Sequence, residues 1–213
     1  MTALDPTGHV RWTAPGSGHV FGAPAVSRDG ATVYVADLLG SLAYLRASDG
    51  QVIRRVSVGS PVYGGVLVLE DGAVVVGARD GHVRAFGADG TARWDFATRD
   101  EVHSTPALMR DGTVVFGSDD GGIYGVRASN GTQAFRVATA GRVRSSASVD
   151  ADGFVFVGSE DDMVYALDPH GAVAWRVSIG ADVDSSPAIT PQGWLVVGSD
   201  DAGLHALAPR TGR

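Results

Sequence analysis

Five times along the chain a short β-branched run appears: VYVA (33–36), VVVG (74–77), VVFG (114–117), VFVG (155–158) and LVVG (195–198). Asp-Gly turns precede four of them, at Asp29-Gly30, Asp71-Gly72, Asp111-Gly112 and Asp152-Gly153. An acidic, Gly-rich turn follows, as in SDDGG (118–122), and leads to a second apolar stretch such as GIYGV, MVYAL or GLHAL. Next comes a TG, DG, NG or HG turn and a segment with an aromatic residue four positions past its Gly: Trp12, Trp94, Phe135 and Trp175, with Arg54 breaking the rule. The unit closes on a half-variable motif: EVHSTPAL (101–108), RVRSSASV (142–149), DVDSSPAI (182–189). Short runs bounded by Gly, Asp, Asn and Ser predict antiparallel strands joined by hairpins, and no segment has a sustained helical period.

The period is regular. Gly8, Gly50, Gly90, Gly131, Gly171 and Gly212 are separated by 42, 40, 41, 40 and 41 residues. A four-stranded unit of this length cannot bury both faces of its sheet alone, whereas such sheets packed face to face around an axis bury one another. The expectation is an all-β protein, a single β-propeller domain over 1–213 with repeats at about 16–57, 58–97, 98–138, 139–179 and 180–213 plus 1–15. Within a repeat the strands are labelled A (the Ser-Pro stretch), B (the VVVG run), C (the VYAL run) and D (the Trp strand). Residues 9–15 form a lone D strand and the chain closes on A, B and C, which predicts five four-stranded blades with the N-terminal strand completing the last. A ring closed in this way has no open edge and stays monomeric. The duplicated joint, TALD at one end and PRTG at the other, equally suits a fragment of a propeller of seven or eight blades.

Composition narrows the function classes. The chain has 213 residues, 44% hydrophobic and 19% charged, an ordinary globular balance. Zero Cys leaves no disulfide, thiolate metal site or Cys nucleophile. The net charge is −7 and all 17 basic residues are scattered Arg, so nucleic acid is not an expected partner. No apolar run approaches bilayer length, so membrane insertion is not expected, and the sequence as it stands shows no signal peptide.

The stretch ALDPTGHVRW (3–12) resembles the A-x-D-x-x-T-G-x-x-x-W tryptophan-docking motif of quinoprotein propellers, and ALDPHGAVAW (166–175) repeats it imperfectly. With its VGS-DG-VYALD cadence the whole chain is similar to the PQQ-like repeat family. The resemblance implies a propeller fold. Enzymes of that family hold pyrroloquinoline quinone in an eight-bladed ring against a Trp and a vicinal disulfide, with Ca²⁺ and a catalytic Asp. Without Cys and with five repeats, this chain looks like the non-enzymatic, bacterial branch of scaffold and sensor propellers. That likeness implies no cofactor, no resident metal, no catalysis and an extracytoplasmic location.

Residue by residue, the expectations are as follows. Trp12, Trp94, Phe135 and Trp175 occupy one repeat position and read as blade-docking residues. Asp80, Asp119-Asp120, Glu160-Asp161-Asp162 and Asp200-Asp201 read as hairpin turns, since no D-x-D-x-D-G calcium loop is present. No His pair has metal-ligand spacing, and no G-x-S-x-G elbow marks a nucleophile. In the half-variable motif, the small residues fit a crowded axis and the repeated Val points between blades. The residues flanking each Val share a face by strand alternation and vary freely: Phe21, Tyr63, Glu101, His103, Arg142, Arg144, Asp182 and Asp184. Identical scaffold positions with divergent chemistry mark a recognition face for a protein, or alternatively for a glycan or other small ligand. A remnant of quinone-dependent oxidoreductase chemistry is the third reading.

Overall fold

The computed structural model describes residues 1–208 and 210–212. Its described residues hold 21 strands and six antiparallel sheets. A two-stranded hairpin, β1 (Thr2–Leu4) and β2 (Val10–Thr13), comes first. Four four-stranded sheets follow in chain order. The first comprises β3 (Ala25–Val26), β4 (Thr32–Ala36), β5 (Ser41–Arg46) and β6 (Val52–Ser57). The second comprises β7 (Leu67–Val68), β8 (Val74–Gly77), β9 (His82–Phe86) and β10 (Ala92–Ala97). The third comprises β11 (Ala107–Leu108), β12 (Thr113–Ser118), β13 (Gly122–Arg127) and β14 (Gln133–Ala138). The fourth comprises β15 (Ser148–Val149), β16 (Val155–Gly158), β17 (Met163–Leu167) and β18 (Val173–Ser178). A three-stranded sheet, β19 (Ala188–Ile189), β20 (Leu195–Gly198) and β21 (Leu204–Leu207), completes the series.

The regular A strands are only two residues long and begin after the Ser-Pro stretch. Proline has no N–H to give a ladder, and the preceding serines bond in its place. Ser104 Oγ bridges the Gly117 backbone at 2.9 Å on both sides, and Ser145 and Ser185 repeat the bond to Gly158 and Gly198. The next small residues reach across to the following sheet. Gly65 N–H donates to Thr105 Oγ1 at 2.7 Å, Thr105 N–H to Ser146 Oγ at 2.8 Å, and Ser146 N–H to Ser186 Oγ at 3.1 Å.

Two contacts join each sheet to the next. The D-strand aromatic lies on the turn Gly of the following repeat: Trp12 on Gly50, Trp94 on Gly131, Phe135 on Gly171 and Trp175 on Gly212. A Cβ on those glycines would enter the ring, and all four have positive φ. The indole N–H of Trp12 donates to Ala47 O at 2.9 Å and that of Trp94 to Ala128 O at 2.8 Å. Arg54 lays its aliphatic stem over Gly90 in the same way. Further in, Val102, Val143 and Val183 pack on the glycine that ends the preceding β-branched run, Gly77, Gly117 and Gly158. Each of these valines is fully buried.

The expected closure by the N-terminal strand is corrected. β2 pairs with β1, in the register Thr2↔Thr13 and Ala3↔Trp12, and among the described residues β21 pairs only with β20. The physical reason is locality. Asp5 takes the N–H groups of Thr7 and His9 at 2.8 and 3.0 Å, which ties a tight turn across which β1 meets β2 at almost no loop-closure cost. The hairpin carries the same bulge as every other C–D pair and docks like them, with Met1, Trp12 and Ala14 against Val35, Ala43 and Leu45.

Candidate interaction face

The D-to-A loops are held by main-chain hydrogen bonds and by turn side chains such as Ser118, Ser159 and Ser199, whose hydroxyls donate to Asp100 O, Arg142 O and Ala181 O at 3.2 Å. The N–H groups of Val62, Val102, Val143 and Val183 donate to the B-to-C turn of the preceding sheet, at Asp37, Ala78, Ser118 and Ser159, over 3.1 to 3.2 Å. The carbonyl just before each Val accepts from the loop's own sheet: Arg79 N–H to Pro61 O, Asp119 to Glu101, Glu160 to Arg142 and Asp200 to Asp182, at 2.8 to 3.0 Å. With the Val side chain buried beneath, neither flanking side chain is needed to hold the loop.

The flanking residues form one continuous row. Phe21 is 74% exposed and meets Tyr63 at a ring separation of 5.6 Å; Tyr63 meets His103 at 5.0 Å. Arg79 lies over Tyr63, 5.6 Å from its centroid, and donates twice to Glu101 at 2.9 and 2.8 Å. Glu101 also bonds the ring of His103 at 2.6 Å. Beyond it, Arg144 clamps Asp119 with its shortest contact at 2.7 Å and reaches Glu160 at 3.5 Å, while Arg142 stands 3.8 Å from Asp119. Asp182 and Asp184 end the row beside Asp200 and Asp162.

Three members of this row, Asp119, Glu160 and Asp200, carry a sequence reading as turn carboxylates only, and Arg79 and Leu38 carry none. All five stand two positions past the last residue of the B-strand run, at 36, 77, 117, 158 and 198. That fixed offset, with chemistry that varies from Leu to Arg to acid, is the signal in the sequence. It also alters the charge pattern. Because Asp119 takes up the guanidinium of Arg144, the doubly basic step is largely neutralised, and the uncompensated charge is the acidic end.

Electrostatics separate the two ends further. The Arg79 guanidinium, with help from His103, holds the Glu101 carboxyl down to about 2. Partial burial raises Asp182, and the neighbouring carboxylates Asp162, Asp184 and Asp200 raise it further. Glu160 is raised by burial and by Asp184, against the opposing pull of Arg144. Hydrogen bonding to Asp119 raises Arg144. One ligand atom each of Glu101, His103 and Asp119 lie within 4.8 Å of one another, but both carboxylates are already clamped by guanidinium groups, and a cation there would have to displace them.

Sheets of this pattern, docked by Trp-on-Gly and Val-on-Gly contacts and topped by a row of variable loop residues, define a propeller-repeat protein of the PQQ-like kind. The chain belongs to the family described as outer membrane protein assembly factor BamB, whose family model matches residues 1–160 and 160–213. The outer membrane protein assembly factor BamB of Burkholderia pseudomallei (strain K96243) is 32% identical over 136 residues, which is 62% of this chain and 34% of that protein. The crystal structure of BamB from Moraxella catarrhalis aligns with a TM-score of 0.81 at 18% identity, over 96% of this chain and 63% of that one, a likeness of fold. The chain thus spans less than two thirds of either relative.

Proposed function

We propose that this chain is a non-catalytic binding module that seats a protein partner across the D-to-A loop face, through Phe21, Tyr63, Glu101, His103, Arg142, Arg144, Asp182 and Asp184. One observation carries the reading: the four loops at Val62, Val102, Val143 and Val183 share one backbone anchorage, yet set chemically different side chains in a row that runs, with Phe21 at its head, from aromatic to acidic. A scaffold that holds its loops without using those side chains leaves them free for recognition. The name of the Burkholderia relative assigns that protein to outer membrane protein assembly, and the likeness supports a protein-holding role outside the cytoplasm for this chain. The mechanism is docking. Phe21 and Tyr63 supply apolar contact area, Asp182 and Asp184 meet a cationic residue of the partner, and the paired centre around Glu101 and Arg144 sets register.

Photo-crosslinking residues placed singly at 21, 63 and 184, and at control positions 29 and 130 on the opposite turns, test the reading in the native cell. Loop-face positions are expected to trap one and the same protein, with the controls silent. Equal trapping from both ends of the strands overturns it. Soluble glycans that shift Tyr63 and Phe21 resonances without any protein crosslink would replace it with a carbohydrate-binding role. No change in melting temperature is expected with pyrroloquinoline quinone and Ca²⁺; a shift would reinstate quinone chemistry.

A further inference from the structure

The opposite end of the strands, where the A-to-B and C-to-D turns lie, carries a separate feature. Between the second and third four-stranded sheets is a groove of about 390 Å³, within the size range of small-ligand sites. Its floor is apolar, built from Leu69, Leu108, Met109 and Ala128, with Arg110 and the exposed Ser129 on its rim. A second groove of about 200 Å³, toward Pro169 and His170, shares Met109 and Arg110, so the arginine stands on the ridge between them.

The repeat explains why Arg110 is available. The residue before the Asp of each A-to-B turn is Arg28, Glu70, Arg110 and Ala151 in successive repeats. Arg28 and Glu70 pair with each other at 2.8 Å across the neighbouring junction. Arg110 would need a carboxylate at 70 or 151. Glu70 is taken, and 151 is Ala. Among the described residues the Arg110 side chain makes no ion pair or hydrogen bond, whereas the groove's other charges are all paired, Asp71 with Arg93 and Glu70 with Arg28. Main-chain groups at the groove are also committed: Leu69 bonds Ala73 and Gly72, Met109 bonds Thr113 and Gly112, and Ala128 N–H donates to Gly112 O. No strand edge is offered to an extended peptide.

We propose that this groove binds a small single-chain carboxylate amphiphile, its apolar chain on Leu69, Leu108, Met109 and Ala128 and its carboxylate on Arg110. The apolar floor gains by displacing water, and the one unpaired cation at the rim fixes the anionic head. The site is independent of the loop face, so either can fail alone.

The probe is decanoate, titrated below its micelle concentration while the backbone amides are followed by NMR. Saturable shifts are expected at residues 69, 109, 110, 128 and 129, with none from acetate or from decyltrimethylammonium. Arg110→Glu is expected to weaken decanoate by about tenfold or more, the scale of one lost charge-assisted bond. Ser129→Phe, at an exposed rim position, is expected to block it with an unchanged melting temperature. Shifts scattered over the surface, equal binding of the cationic amphiphile, or indifference to Arg110→Glu each overturn the proposal. Tighter binding of a soluble Leu-Asp-Leu peptide than of decanoate would make the groove a peptide site instead.

Discussion

Val143 and Arg144 are neighbours in the chain and live under different rules. Val143 is wholly buried on Gly117, where an added methyl would come within 2.2 Å of its Cγ1, and every internal repeat keeps a Val in that place. Arg144 rests on the outside, held by Asp119 and, at 3.5 Å, by Glu160, both of them repeat variables. The lesson is that one loop can be fixed in its backbone while the residues beside its Val vary, because its anchorage runs through main-chain groups, turn side chains such as Ser159, and a single apolar knob, and not through those two residues.

The sharpest way to break this contrast is at the docking layer. Trp94→Ala removes a large buried ring and its bond to Ala128, and about 3 to 5 kcal/mol of stability should be lost in urea denaturation. Gly117→Val drives a side chain into Val143 and its carbonyl and should cost about 3 kcal/mol, with the melting temperature as readout. On the loop face, Arg144→Glu leaves the nearly buried Asp119 without its guanidinium and beside a like charge; after solvent screening the loss should be about 1 kcal/mol. Asp184→Ala, by contrast, should leave the melting temperature unmoved and weaken only partner binding. Ala202 occupies the left-handed turn position, φ 64°, that Gly40, Gly81 and Gly121 take in earlier repeats. Ala202→Gly should therefore stabilise by about 1 kcal/mol.

Acid separates the two ends of the face. Glu101 has its native value lowered to about 2, so its contribution is present above the ordinary 4.5 and is lost as pH falls toward 2. Asp182 and Glu160 are raised, so their contribution is full below the ordinary carboxyl value and declines as pH rises through the raised native one. Carboxyl titration by NMR should show Asp182 and Glu160 protonating before Glu101 on acidification. Equal midpoints would mean the row is not coupled as described.

Much of this was legible in residue order because repetition reports itself. A Gly every 41 residues or so, an aromatic four positions later and a β-branched run between turns are local patterns, and they determine strand identity, hairpin order and the docking positions by sterics and pairing chemistry alone. The eight loop residues were legible as a set, since alternation about a buried Val places its neighbours on one face. Only the tertiary structure decided what each side chain meets and which strand pairs with which. Whether β2 joins β1 or β21 is a competition between a near and a far partner, settled by loop closure and the Asp5 turn. That Arg144 is consumed by Asp119, 25 residues away, and that Arg110 has no such partner, follow from which turns neighbouring sheets bring together. Charge in a repeat protein is written locally but balanced across the junctions.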